Sequence, residues 1–186
     1  MKKIIAIFLS IFLILSITAC NNKETSSNTS SIDVEYYAKL GSMPECEYTI
    51  GNDIETIKND LEEHYNDKTE DHAVYDVIEG EETVLIDGGD FQYYYYKDKA
   101  DKGISYIVNF EKAFGFDIGT VSVEIKDALK DFKYTEESFN DDNSFFVLGA
   151  DSGKVIKYEF SSNTVSFVLV NDALYATALY KTDDWE

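Results

Sequence analysis

Arginine is missing altogether from this 186-residue chain, proline occurs once, cysteine twice, histidine twice and tryptophan once. Each shortage closes a class of function. Bidentate recognition of phosphate favours arginine, and nucleic-acid binding needs a basic footprint. Here 36 acidic residues face 16 lysines, so nucleic acid is excluded as a partner. The lone Pro44 precedes the first periodic segment and interrupts no strand. With Cys20 and Cys46 the only cysteines, there is no disulfide framework, and the two histidines, His64 and His72, are too widely spaced for a compact metal motif. No phosphate-binding glycine loop and no G-x-S-x-G elbow is present.

Long apolar runs are also lacking, except at the start. Met1-Lys2-Lys3 leads into an apolar stretch from Ile4 to Ile17, broken only by Ser10 and Ser16, and then Ile17-Thr18-Ala19-Cys20. A basic start, an apolar run too short to span a bilayer and small residues before a cut make the pattern of an export signal over 1–19. Ile17-Thr18-Ala19-Cys20 resembles the lipobox of bacterial lipoproteins, which implies cleavage before Cys20 and acylation of its thiol. The expected membrane partner is therefore reached through covalent lipid on Cys20, and the expected location is the cell membrane, facing outward. Residues 20–33 carry serine, threonine and asparagine with almost nothing apolar, the composition of a flexible tether.

All 36 acidic residues but only fourteen lysines lie beyond Cys20, a net charge of −22 for that part. Such a surface is held off anionic lipid and anionic wall polymers and keeps a protein soluble outside the cell. Lipidation of Cys20 leaves Cys46 without a partner in the chain, as either a buried small hydrophobe or a thiol for intermolecular pairing.

The sequence repeats itself. YTIGNDIETIKNDL from Tyr48 and FDIGTVSVEIKDAL from Phe116 share Ile50/Ile118, Gly51/Gly119, Ile57/Ile125, Lys58/Lys126 and Leu61/Leu129. Each reads as an amphipathic helix, with Ile54, Ile57 and Leu61 on one face of the first and Val121, Ile125, Leu129 and Phe132 on one face of the second. Asn52 with Glu55 fits a capping box, and Thr120 fits a second cap. Strand signals follow each helix: Thr83 to Asp87, Phe91 to Lys97, Ile104 to Phe110 and Ala113 to Ile118, then Ser144 to Leu148, Lys154 to Phe160, Val165 to Val170 and Leu174 to Lys181. Gly88-Gly89-Asp90 and Asp151-Ser152-Gly153 read as equivalent turns. A short helix from Val34 to Leu40 ends at Gly41. The expected fold is α+β, a tandem repeat of a helix followed by a four-stranded antiparallel sheet with one wet face, in units 34–118 and 119–186.

Tyr37 to Leu61, with Gly41, Cys46, Tyr48-Thr49-Ile50-Gly51 and Ile54-x-x-Ile57, is similar to the opening of the YjgB-like family of uncharacterised exported proteins. Tyr93 to Tyr96 and Ala113-Phe114-Gly115-Phe116 resemble that family's later segments. The likeness covers the first two-thirds of the mature chain and departs where Glu62-Glu63-His64 replaces a Gly-Lys-Pro. It implies export and brings no activity. The tandem plan separately resembles the β-lactamase-inhibitor-protein fold, which implies architecture alone.

Among residues that carry chemistry, Cys46 and the histidines lack the context of a nucleophile or metal site, so no catalytic residue, metal or cofactor is expected. Asn140-Asp141-Asp142-Asn143 and Asp87-Gly88-Gly89-Asp90 are oxygen-rich turns without calcium-loop spacing. The unusual feature is Phe91-Gln92-Tyr93-Tyr94-Tyr95-Tyr96: on a strand, Tyr93 and Tyr95 point one way, Tyr94 and Tyr96 the other. With Tyr106 and Tyr158 they form the candidate binding face, since tyrosine offers amphipathic contact area at low entropic cost. The expected function is a non-catalytic extracellular binding module for a protein or cell-wall ligand; the alternative is an inhibitor or accessory protein of an exported hydrolase.

Overall fold

A computed structural model describes residues 33–66, 76–140 and 152–182. Helix α1, Val34–Leu40, starts at Asp33, whose Oδ1 accepts the Tyr36 amide at 2.9 Å. It ends at Gly41, whose φ of 70° lets the Gly41 and Ser42 amides reach back to Ala38 and Tyr37. Helix α2, Ile54–Asn66, buries the expected stripe of Ile54, Ile57 and Leu61. Its cap is Asp53 rather than Asn52: Asp53 Oδ2 accepts from the Thr56 amide and hydroxyl, both at 2.9 Å, while the Asn52 side chain accepts the Thr49 amide. Helix α3, Ser122–Ala128, starts after Val121 with no side-chain cap, and the Thr120 hydroxyl donates to the Asp117 carbonyl instead. Ile125 and Leu129 are buried beneath α3, whereas Val121 is exposed and does not join their face.

The α+β class holds. Among the described residues, eight strands form one antiparallel sheet: β1 Asp76–Glu79, β2 Thr83–Asp87, β3 Phe91–Tyr96, β4 Tyr106–Asn109, β7 Tyr134–Asn140, β8 Ser152–Phe160, β9 Asn163–Val170 and β10 Ala173–Lys181. Their order is β1-β2-β3-β4-β10-β9-β8-β7, with β5 Lys112–Ala113 and β6 Phe116–Asp117 forming a separate hairpin. A 3₁₀ segment, Lys97–Lys102, links β3 to β4.

Two expectations, one strand and one turn, need correction. Ala113 to Ile118 is not a sheet strand, because Phe114 (φ 54°) and Gly115 (φ 84°) both turn left-handed and fold it into the β5–β6 hairpin. The place beside β4 that such a strand would take is filled by β10, pairing Tyr106 with Tyr180 and Asn109 with Thr177. The fourth strand of the first half is instead β1, which pairs with β2 at the edge. Gly153 is not in a turn; it pairs with Phe139 inside β8, where a Cβ would lie 2.2 Å from the Leu169 carbonyl oxygen. Ser144 to Leu148 and Asp151 lie outside the described residues, as do Cys20 and His72.

One side of the sheet faces the helices. Val84, Ile86, Tyr93, Ile107, Tyr158, Val165, Phe167 and Leu179 pack there with Ile57 and Ile125. The expected wet face is also apolar at its centre: Tyr106, Val108, Val155, Val168, Ala176, Ala178 and Tyr180 form a second buried cluster. Strand β9 is accordingly buried along nearly its whole length, the pattern of a strand covered on both faces. Asn171 and Asp172, both with positive φ, make the two-residue β9–β10 turn, and Asp172 Oδ1 accepts the Ser122 hydroxyl at 2.6 Å, fixing α3 to that end.

Candidate functional site

The six tyrosines of the expected binding face divide between the two sides of the sheet. Tyr93, Tyr95 and Tyr158 are buried with the helix-side core. Tyr106 is buried in the opposite cluster, and Tyr94 and Tyr96 are half-buried against it. Neither layer presents a fully exposed tyrosine row. The two half-buried hydroxyls are also engaged: Tyr96 Oη lies 2.6 Å from Tyr106 Oη, and Tyr94 donates to Gln92 Oε1 at 2.8 Å. The Lys99 ammonium sits 5.0 Å from the centre of the Tyr96 ring. The first of these contacts joins β3 to β4, the second lies within β3, and the third ties Tyr96 to the 3₁₀ segment.

A concave site forms elsewhere. The loop after α1, the second half of α2 and the β2–β3 turn enclose a cleft of about 320 Å³, lined by Glu45, Glu47, Tyr48, Asp60, Leu61, His64, Gly88, Asp90, Phe91 and Tyr93. Local sequence accounts for each wall. The loop is drawn back to the body by the Ile50 amide donating to the Gly41 carbonyl at 2.7 Å and the Gly51 amide to the Ile104 carbonyl at 2.8 Å. Asp60, Leu61 and His64 fall within one turn of α2, so Leu61 enters the core while Asp60 and His64 border the opening. Gly88 opens the turn; a Cβ on it would come within 3.3 Å of Leu61 Cδ1 and 3.2 Å of Tyr93 Cε2.

The floor is aromatic and fixed. The rings of Tyr48 and Tyr93 meet edge to face, 5.3 Å apart at 85°. Tyr48 Oη donates to Asp60 Oδ2 at 3.4 Å, and Tyr93 Oη lies 3.7 Å from the Cys46 sulfur, which also contacts the Tyr48 carbonyl at 3.2 Å. Burial raises the Cys46 thiol pKa above its ordinary value, against the opposing effect of the Tyr48 carbonyl contact. Burial, with the Asp60 and Glu47 carboxylates next in weight, pushes Tyr48 up to about 12, and burial raises Tyr93 further. A thiol shifted in that direction lacks the lowered pKa of an activated nucleophile. Among the described residues no group of three His, Cys, Asp or Glu side chains could hold a metal ion.

The rim is acidic. Glu35, Glu55, Glu79, Asp117, Glu136 and Glu137 are each paired with a lysine. Among the described residues, Glu45, Glu47, Asp60 and Asp90 of the cleft take part in no such pair, and no lysine lines it. Sequence reading singled out Cys46, His64 and the Asp87–Asp90 turn separately, with no catalytic role for any of them; the fold brings His64 and the turn to one cleft, with Cys46 against the Tyr93 hydroxyl of its floor. It missed Glu45, Glu47, Tyr48 and Asp60 as site residues, because only their convergence distinguishes them from any other acidic surface.

Among the described residues, no helix is long and apolar enough to cross a membrane. No protein family and no curated protein matches the sequence. Among solved structures, the chain is similar to a DUF4309 family protein (YjgB) from Bacillus subtilis, with 15% identity and a TM-score of 0.48 over 83% of this chain and 95% of that one. That protein bears the name of the family whose motifs Tyr37 to Leu61 resemble.

Proposed function

We propose that the chain is a non-catalytic binding module, held at the outer face of the cell membrane by lipid on Cys20, and that its contact site is the cleft rather than a tyrosine row. The observation that carries this reading is the cleft itself: a concave site with a packed aromatic floor and four carboxylates that pair with no lysine among the described residues. Pre-formed concavity with a few convergent polar groups is the usual form of a binding site. A charge of −22 on the mature part favours a soluble partner over an anionic surface. The plan behind the site is a tandem repeat, supported by the order α2 then β1–β4 and α3 then β7–β10, and it parallels the inhibitor-protein plan.

The test is capture. Full-length chain extracted from membranes is immobilised and exposed to the source cell's exported proteins and wall fragments, beside Glu47→Gln/Asp60→Asn and Tyr94→Ser/Tyr96→Ser variants. A specific partner kept by wild type and the tyrosine variant but lost by the cleft variant is the expected result. Loss with the tyrosine variant alone returns the contact to the sheet face. An exported hydrolase as the partner, inhibited on binding, establishes the inhibitor reading. Cys20→Ser is expected to release the chain from the membrane fraction.

A further inference from the structure

Resting on that reading of the cleft, we propose that it seats a lysine side chain of a partner polypeptide, a primary ammonium group at the end of an alkyl stem. The lining divides into two chemistries in the order that such a group requires. Leu61, Phe91 and the Tyr48–Tyr93 pair give an apolar floor, suited to methylenes and to the attraction between a cation and an aromatic ring. Glu45, Glu47, Asp60 and Asp90 line the same cleft and supply carboxylate acceptors for the three ammonium protons.

Other ligand chemistries match less well. An anion meets four like charges. A transition metal meets no group of ligands close enough to hold it, among the described residues. A neutral apolar group would leave the rim's carboxylates without the charge that distinguishes the site. Lysine is favoured over arginine because a compact point charge can turn its three donors to carboxylates on different walls, whereas a planar fork needs them in one plane. The body's own lysines illustrate the chemistry: Lys126 contacts Glu136 while lying 5.3 Å from the centre of the Tyr134 ring, and Lys58 contacts Glu55 while lying 5.6 Å from that of Tyr95.

The experiment follows backbone amide resonances of the nitrogen-15-labelled full-length chain during titration with Nα-acetyl-lysine amide, its Nε-acetylated form and Nα-acetyl-norleucine amide. The lysine probe is expected to shift amides of residues 45–48, 60–64 and 88–91, and Glu47→Gln/Asp60→Asn to weaken its binding about tenfold, two charge-assisted contacts being lost. The two uncharged probes are expected to shift nothing. Those near-isosteric replacements sit at the rim, so an unchanged spectrum elsewhere shows that the fold is kept. Equal shifts with norleucine, or lysine shifts spread over the whole acidic surface, overturn the proposal. If these fail while partner capture still depends on Glu47 and Asp60, the lysine assignment is wrong and the binding site stands; if capture is also independent of them, the reading of the cleft falls with it.

Discussion

At Gly103 the chain needs both a left-handed backbone, φ 75°, and the absence of a side chain, since a Cβ would lie 2.3 Å from the Asn52 carbonyl oxygen and 2.5 Å from that of Gly51. That approach lets the Ile104 amide bond Asn52 and holds the loop behind the cleft. Gly103→Ala is therefore expected to cost about 2–4 kcal/mol, combining left-handed strain with backbone displacement, measured by urea unfolding. A cost under ~0.5 kcal/mol would show that the two segments are not held this closely. Single residues were the least legible level of the sequence. Gly103 carries no sign of its role, because its neighbours in space are some fifty positions away in the chain. The tyrosine run was legible as alternating, and Tyr93 and Tyr95 do point opposite to Tyr94 and Tyr96. Whether either side stays open depends on the far strands and could not be read locally.

Elements were read better than residues, and the misreadings have local causes. The α2 stripe of Ile54, Ile57 and Leu61 and the α1 stop at Gly41 follow from helical periodicity and left-handed glycine, and both hold. The cap of α2 was misplaced by one residue, since Asn52 and Asp53 are both good caps and only the loop decides that Asn52 turns back to Thr49. Asp53→Ala should thus lower stability by about 1 kcal/mol, the usual worth of a helix cap. Calorimetry checks it, and an unchanged unfolding temperature would return the cap to Asn52. The β5–β6 hairpin was hidden because Ala113 to Ile118 alternates well as a strand; Phe114, a bulky residue at φ 54°, and Gly115, at φ 84°, break it, with the Phe114 ring packed 6.5 Å from Phe167.

At the scale of the whole molecule, the two halves of the sheet join where β4 meets β10, and Tyr106 and Tyr180 face each other across that seam. Several buried tyrosines make the body sensitive to alkali. Burial chiefly raises Tyr48, Tyr94, Tyr158 and Tyr180 from the ordinary 10.0 to about 12. Between those values the folded state binds more protons than the unfolded one, so stability is complete below pH 10 and is lost as pH rises through 12. Tyrosinate absorbance and circular dichroism, followed together, should show a delayed, cooperative tyrosine titration coinciding with unfolding. A gradual titration starting near 10 with the fold intact would contradict the burial.

Length, charge and the lipobox-like start bounded the expected function before any geometry was known, and the class of fold was legible from periodicity. The cleft was not, since its acids lie at 45, 47, 60 and 90 and only the packing of α2 against the β2–β3 turn makes them neighbours. Its role as the contact site is the account's central claim, and the most direct test is the footprint of a captured partner on the labelled full-length chain. The account predicts that amides of residues 45–48, 60–64 and 88–91 move or broaden while those of Tyr94, Tyr96 and Tyr106 stay in place. A footprint centred on those three tyrosines, with the cleft unperturbed, would contradict it.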